Sequence, residues 1–540
     1  MYDYDIDNDP GNTYLGLSAK QWRGIFKFCG GIFVFIFTLA IIIYVYFGST
    51  EHISVVYIEN NKPALFTTEK EFLSFALDTS LIARGLDLYN FTSPKFIKML
   101  KHLEPAYFRI GGTEQDRLHF NPHKVPLNLQ EYEVQQDGDH CAYDEAMCII
   151  HVASRPNFTM TGSDWLLINN IARKANLKLI FGLNSLIRKT DGSWDSKNAQ
   201  KLILFSKNNR FNVNWELGNE PNAFYHQFFY SVNATQMAKD FAKLKNILNG
   251  YKMYKKSLLL GPDVTRPRKN HQESMKYLNE FLGNKDSDVV DAITWHQYYL
   301  DGHNANPNEF LDTEILDLLS EEIDTIKKIR EDSGVEHKQI WLGETSSAYG
   351  GGASGMSDKY IALFMWADKL GISAKKGISV VIRQSIFEGH YALLDDDFDP
   401  NPDWWFSVLY KQLVSPVVVQ SKIVTDSNIR LYTHCTLPGG NYNKGSLTVF
   451  GMNIGHLDQK IRIEGINDNE NTVYVYELST NFIFSQYILL NDYVLNLTDG
   501  FNLPTFKPNI LKLRPFLTIK PFTVVFFVVP NAEVQACSDL

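Results

Sequence analysis

Cysteine is scarce in this chain, five in 540 residues, and no two form a C-x-x-C pair. That excludes a zinc ribbon and a disulfide-stapled mini-scaffold. No strand-like run leads into G-x-G-x-x-G or G-x-x-x-x-G-K-[ST], so the usual dinucleotide and P-loop sites are absent. There is no H-E-x-x-H and no clustered His/Asp set, so neither a metal nor any other cofactor is expected. Basic charge is also short. With 52 Lys and Arg against 61 Asp and Glu, the formal net charge is −9, the wrong sign for a general nucleic-acid binder. No solenoid-type repeat recurs. What is present, 44% hydrophobic and 21% charged residues, is the balance of a globular protein. The length exceeds one ordinary core, so two folded units with appendages are expected.

The longest apolar run is FCGGIFVFIFTLAIIIYVYF, residues 28–47. As a helix, about twenty such residues match the hydrocarbon thickness of a bilayer. Lys20, Arg23 and Lys27 precede the run and Glu51 follows it. The positive-inside rule then predicts a cytosolic tail over 1–27, a transmembrane signal anchor over 28–48, and a luminal or extracellular remainder, in the secretory pathway, at the cell surface or in a lysosome-like compartment. A cleaved signal peptide is the competing reading, although its apolar region is usually shorter and nearer the start. Cys29 lies inside the run and reads as lipid-facing, while Cys141, Cys148, Cys435 and Cys537 form an even set compatible with two disulfides. Sequons at Asn90, Asn157, Asn233 and Asn496 read as glycosylation sites and favour the same compartment.

Beyond the anchor, 49–68 is a juxtamembrane segment whose HISVVYIE reads as a strand joining a later sheet. Strand-like runs then alternate with helical stretches: 72–77, 106–110, 178–183, 212–217, 257–261, 291–296, 339–343 and 378–383. Eight such units predict a (β/α)8 barrel over 69–414. An open doubly wound sheet is the alternative, but it lacks its phosphate loop. Short strands such as IRLYTHC, SLTVFGM, TVYVYEL and FTVVFFVV follow, predicting an antiparallel β-sandwich over 415–540. Between the second and third barrel strands, 117–160 is a long linker-like insertion.

In such barrels the chemistry sits at the C-terminal ends of strands. Those positions hold Asp78, Arg109, Thr113, Asn184, Asn219-Glu220, Asp263, His296, Tyr298, Glu344 and Gln384. Two glutamates stand out, Glu220 in WELGNEPN and Glu344 in IWLGETSSAYGGG. Glycosidic cleavage needs such a pair, one carboxyl to protonate the leaving oxygen and one to attack the anomeric carbon. The bland reading, that each glutamate merely pairs with a nearby cation, is disfavoured by their shared placement at strand ends in aromatic and Gly-rich settings.

WELGNEPN, ITWHQYYLDG, WLGETSSAYGGGA, FMWADKLGISA and DDDFDPNPDWW resemble the heparanases, endo-β-glucuronidases of glycoside hydrolase family 79, and the likeness runs from about residue 70 to Cys537. The resemblance implies that Glu220 is the general acid/base, Glu344 the nucleophile of a retaining reaction and Tyr298 the residue orienting it. It implies that Gly350, Gly351 and Tyr391 receive the glucuronate carboxylate. Asp78, Thr113, Asn219, His296 and Gln384 would contact the sugar, Arg268 and Lys269 would flank the cleft, and Cys435 and Cys537 would pair. The chain departs from the family pattern in having only Arg155 in SRPNFTMTG, where the family is lysine-rich, and His303 where the family has an arginine. Nor is there a cysteine near Ala175-Asn176 to receive the family's first disulfide, which leaves the pairing of Cys141 and Cys148 open. The implied partner is a glycosaminoglycan, heparan sulfate or a less sulfated relative, with the membrane as a second contact and no nucleic acid; the sequence is silent on oligomeric state. The alternatives are a non-catalytic membrane-tethered glycosaminoglycan binder, which would need neither glutamate, and an exo-β-glucuronidase on short glucuronides.

Overall fold

A computed structural model of the chain describes residues 53–124, 155–268, 272–439, 442–467 and 469–539, with positions 23, 27, 37 and 38 besides. The expected transmembrane segment 28–48, apart from Phe37 and Thr38, lies outside the described residues, as do Lys269, Cys141 and Cys148. Among the described residues no helix is long and apolar enough to cross a membrane.

Residues 54–540 form one compact unit. Eight parallel strands make its barrel: β1 (Leu73–Asp78), β2 (Tyr107–Gly111), β3 (Lys178–Leu183), β4 (Val213–Leu217), β5 (Leu260–Val264), β6 (Ala292–Asp301), β7 (Gln339–Tyr349) and β8 (Val380–Arg383). The sheet runs β4-β3-β2-β1-β8-β7-β6-β5. Its two ends meet where the Trp215 amide donates to Leu258 O at 2.9 Å, beside a parallel bridge from Trp215 to Leu259. The barrel is nearly closed.

Alternation along each strand explains both faces. Phe75, Leu77, Phe108, Ile110, Phe181, Trp215, Trp295 and Leu342 belong to the large core shared with the helices. Ala76, Tyr107, Ile180, Leu260, Ala292, Trp341, Val380 and Ile382 form a separate small cluster of the opposite parity. Two residues further along that inner face come Asp78 above Ala76, Arg109 above Tyr107 and Gln384 above Ile382. The apolar plug is thus the floor of a polar mouth.

The connection expected as a linker over 117–160 differs from that expectation at its ends. Leu118–Asn121 and Phe158–Thr161 pair as a two-stranded parallel ladder, because Leu118, Phe120, Phe158 and Met160 all bury their side chains. Beyond the barrel, Ile53–Ile58 pairs antiparallel with Ser421–Val424 in a four-stranded sheet. This faces a nine-stranded sheet that contains Ile429–Thr436, Leu447–Asn453, Thr472–Ser479 and Thr523–Val529. Val56, Ile58, Leu431, Val449, Ile461, Val475 and Phe527 fill the space between the two sheets. A disulfide joins Cys435 to Cys537. The helix Tyr360–Lys375 is buried almost throughout, since it packs between barrel and sheet; the Tyr360 hydroxyl donates to Leu478 O at 2.7 Å and Tyr432 hydrogen-bonds Asp368.

Candidate active site

Two irregularities in the strands shape the mouth. Between β5 and β6 the register skips at Asp263, and between β6 and β7 it skips at Gly343, so that His296 comes to lie opposite Glu344. Such bulges re-aim side chains where a regular pleat would bury them in the wall. Asp263 sits at φ +57, and a Cβ on Gly343 would lie 2.8 Å from Asp263 Oδ1, so glycine is required there. After β4 the chain turns sharply, with Glu220 itself at φ +55, ψ 54, and its amide donating to Asp263 O at 3.0 Å. Left-handed backbone at a non-glycine residue is costly and is held only where the surroundings fix it.

Glu344 is the centre of the arrangement. Its Oε1 accepts from the Tyr298 hydroxyl at 2.6 Å and its Oε2 from Arg109 Nη1 at 2.7 Å. Burial alone would raise this carboxyl, but the charges of His296 and Arg109 and the Tyr298 hydroxyl outweigh it and hold Glu344 below its ordinary value. Arg109, wholly buried, also donates from Nε to Glu216 Oε2 at 2.8 Å and from Nη2 to Asn219 Oδ1 at 3.0 Å. Glu216 is pushed up to about 7 by burial, which Arg109 only partly offsets. The Asn219 backbone N–H in turn donates to Asp116 Oδ2 at 2.8 Å, locking the β4 turn to the helical turn Thr113–Arg117 that follows β2.

Across the mouth, His296 lies 3.0 Å through Nδ1 from Glu220 Oε1 and 3.5 Å through Nε2 from Asp263 Oδ1. Burial disfavours the imidazolium, yet Glu344, Asp263 and Glu220 together raise His296 to about 10. Gln227 Nε2 donates to the other Glu220 oxygen at 3.3 Å. On the far wall Gln384 Nε2 donates to Asp78 Oδ2 at 2.8 Å, and burial raises Asp78 to about 6. The rings of Tyr298 and Tyr391 stack with centroids 6.4 Å apart. Gly350, Gly351 and Gly352 all have positive φ, and a Cβ on Gly352 would sit 2.7 Å from the Tyr391 amide, so this loop lies against Tyr391.

The structure therefore brings together Glu220, Glu344, Tyr298, Asn219, His296, Asp78, Gln384, Tyr391 and the Gly350-Gly351 loop. Thr113 is half-buried just past Gly112, whose own Cβ would collide with Asp78. Arg268 is exposed at the rim, where its charge acts on Tyr349, next to that loop. Asn90, Asn157, Asn233 and Asn496 are all exposed. Sequence reasoning gave no role to Glu216, Asp116 or Gln227. A charged residue at an inward position of a strand, as Glu216 is between Trp215 and Leu217, was the available signal.

Comparison with known proteins agrees with this geometry. Residues 78–371 match the model for the N-terminal domain of glycosyl hydrolase family 79. The chain is 33% identical to mouse heparanase, covering 88% of this chain and 93% of that one. It is 32% identical to a hyaluronoglucuronidase of Hirudo nipponia, covering 88% and 98%, and 33% identical to human inactive heparanase-2, covering 88% of each. In fold it matches a 4-O-α-L-rhamnosyl-β-D-glucuronidase from Fusarium oxysporum with a TM-score of 0.64 at 14% identity, over 88% of this chain and all of that one. A family model spanning more than half of the chain, relatives aligned along nearly all of it, and two glutamates set at the mouth of a parallel barrel lead to one assignment: this chain is a glycoside hydrolase and belongs to family 79.

Proposed function

We propose that the protein is a retaining endo-β-glucuronidase acting on glucuronic-acid linkages of heparan sulfate or a related glycosaminoglycan. The observation that carries this reading is the state of Glu344, a buried carboxylate kept ionised by Arg109 and His296 and aimed by Tyr298. An ionised carboxylate at the anomeric carbon is a nucleophile, and Glu220 on the opposite wall protonates the departing oxygen and later deprotonates the attacking water. His296 Nδ1 lies 3.0 Å from Glu220 Oε1, within hydrogen-bonding reach, and holds that carboxyl in place. Asn219, held by Arg109 and Asp116, is placed for the sugar 2-hydroxyl, a contact that strengthens in the transition state. The Gly350-Gly351 amides and the Tyr391 phenol offer neutral donors to the uronate carboxylate, with Arg268 supplying charge at the rim.

The reading is tested by product analysis on heparan sulfate, hyaluronan and an aryl β-glucuronide. Internal cleavage of a polymer supports it, release from chain ends alone supports the exo alternative, and binding without cleavage supports the non-catalytic one. Glu220→Gln is expected to slow substrates with poor leaving groups far more than an activated aryl glucuronide, since only the former need protonation. We further propose that 49–540 is luminal or extracellular behind the 28–48 anchor, a reading supported by the basic residues before the run, four exposed sequons and the Cys435–Cys537 bond. Glycosidase treatment should lower the apparent mass; an unchanged mass with protease access from the cytosol would contradict it.

A further inference from the structure

The segment just past the acid carries an uncommon surface. Glu220 leads through Pro221–Ala223 into the short helix Phe224–Phe228. Phe224 is buried, whereas Tyr225, Phe229 and Tyr230 are 60%, 51% and 42% exposed. The Tyr225 and Phe229 rings stand edge to face with centroids 6.2 Å apart. Phe229 keeps its place with φ +51, a left-handed conformation that is unfavourable for a bulky side chain. The segment is also tied to the reacting groups. Gln227 donates to Glu220, while Arg117 donates to Gln227 O at 3.3 Å and lies 4.6 Å over the Phe228 ring. Single exposed apolar residues need no explanation, but three exposed rings within six residues, anchored to a catalytic acid, do.

Charge on this segment points the same way. The stretch YHQFFY, 225–230, contains no lysine or arginine. Arg117 is buried, and Arg155 pairs with Glu114 at 3.0 Å. Sulfate groups are recognised by guanidinium forks and ammonium groups. A pyranose, by contrast, offers one face of C–H bonds that packs against the electron-rich face of an aromatic ring without any ion pair.

Because the acid stands beside the departing oxygen, residues carried past Glu220 border the leaving-group side of the cleft. We propose that Tyr225 and Phe229, edged by Tyr230, form a leaving-group-side sugar subsite that stacks on the apolar face of a pyranose and selects unsulfated or sparsely sulfated stretches of the polymer. The inference rests on Glu220 being the acid/base proposed above.

The test compares the full-length wild type, the Tyr225→Ala/Phe229→Ala double variant and Tyr225→Trp on hyaluronan oligosaccharides, heparan sulfate oligosaccharides and 4-nitrophenyl β-glucuronide. The double variant should raise KM for hyaluronan oligosaccharides by about 10-fold, as expected for losing aromatic stacking, with a much smaller effect on kcat. Tyr225→Trp should keep KM near wild type. The wild-type KM should change less than about 3-fold between about 50 and 300 mM salt, since stacking is not screened. An equal loss on the nitrophenyl glucuronide would show an effect passed through Glu220 and overturn the subsite. So would an unchanged KM, or a preference for heparan sulfate that collapses with salt. Cleavage of none of the three substrates would instead refute the proposed function; calorimetric binding of hyaluronan oligosaccharides to Glu344→Gln, weakened about 10-fold by the double substitution, would still read the subsite separately.

Discussion

Two buried histidines, one in each half of the molecule, have opposite fates. His296 in the barrel mouth faces Glu220, Asp263 and Glu344 and is raised to about 10. His434 in the C-terminal sheet packs beside the rings of Phe450 and Tyr410, donates from Nδ1 to Ser415 O at 2.9 Å, and is lowered to about 4 by burial. Both are about 1% exposed, so burial alone does not set charge; the neighbours do. The mouth gathers Arg109, Glu216, Asp263, His296 and Glu344 out of water, where each needs the others to remain charged. The sheet core is aliphatic and aromatic, with a disulfide at its end. Charge is gathered where the reaction uses it, whereas the space between the two sheets is filled by apolar side chains.

Substitutions can break this contrast. Glu344→Gln should lower turnover by about 10⁴-fold or more while the fold persists, because an amide neither attacks the sugar nor demands the buried charge. A stable variant retaining a tenth of wild-type turnover would refute the division. Arg109→Met comes next. It strands Glu216 and Glu344 without their cation and should cost about 3–5 kcal/mol in denaturant unfolding, with activity lost as well. On the sheet side, Cys435→Ser with Cys537→Ser opens a link between residues 102 apart. The expected cost is about 2–5 kcal/mol of stability with kcat of the folded protein unchanged.

The pH dependence of the two histidines sharpens the comparison with the smallest effects. His296 has a raised folded value, so its contribution is fully present below its unfolded value near 6.5 and disappears as pH rises through about 10. The Tm gap between wild type and His296→Gln should therefore be widest below pH 6.5 and close toward pH 10. His434 has a depressed folded value, so its contribution is present above 6.5 and lost as pH falls through about 4. His434→Phe should flatten the acid limb of the Tm profile and leave the alkaline limb as it was. Parallel slopes for the two variants would show that their surroundings are alike.

Much of this was legible in the sequence, for identifiable reasons. KLIFGL occupies 178–183 as expected because a short continuous apolar run suits a parallel strand buried on both faces. The run at 257–261 pointed to the right unit but the wrong residues. β5 begins at Leu260 and carries Pro262, whose imposed backbone and missing N–H obscure a strand. β6 and β7 extend to Asp301 and Tyr349, past the expected ends, because QYYLD and TSSAY interrupt the apolar run with polar side chains. Glu220 and Glu344 were visible because each ends a strand run in a distinctive motif. The Arg109–Glu216 pair and the Asp263–His296 approach were not, since they join residues 107 and 33 positions apart, the first on strands separated by β3 and the second beside two bulges.

The assignment of Glu344 as nucleophile and Glu220 as acid/base is tested most directly by the anomeric form of the first product. Proton NMR of an aryl β-glucuronide during early hydrolysis should show the β-anomer of glucuronic acid appearing first, with the α-anomer growing only by later mutarotation. Initial release of the α-anomer would mean direct attack by water and would contradict a covalent intermediate on Glu344.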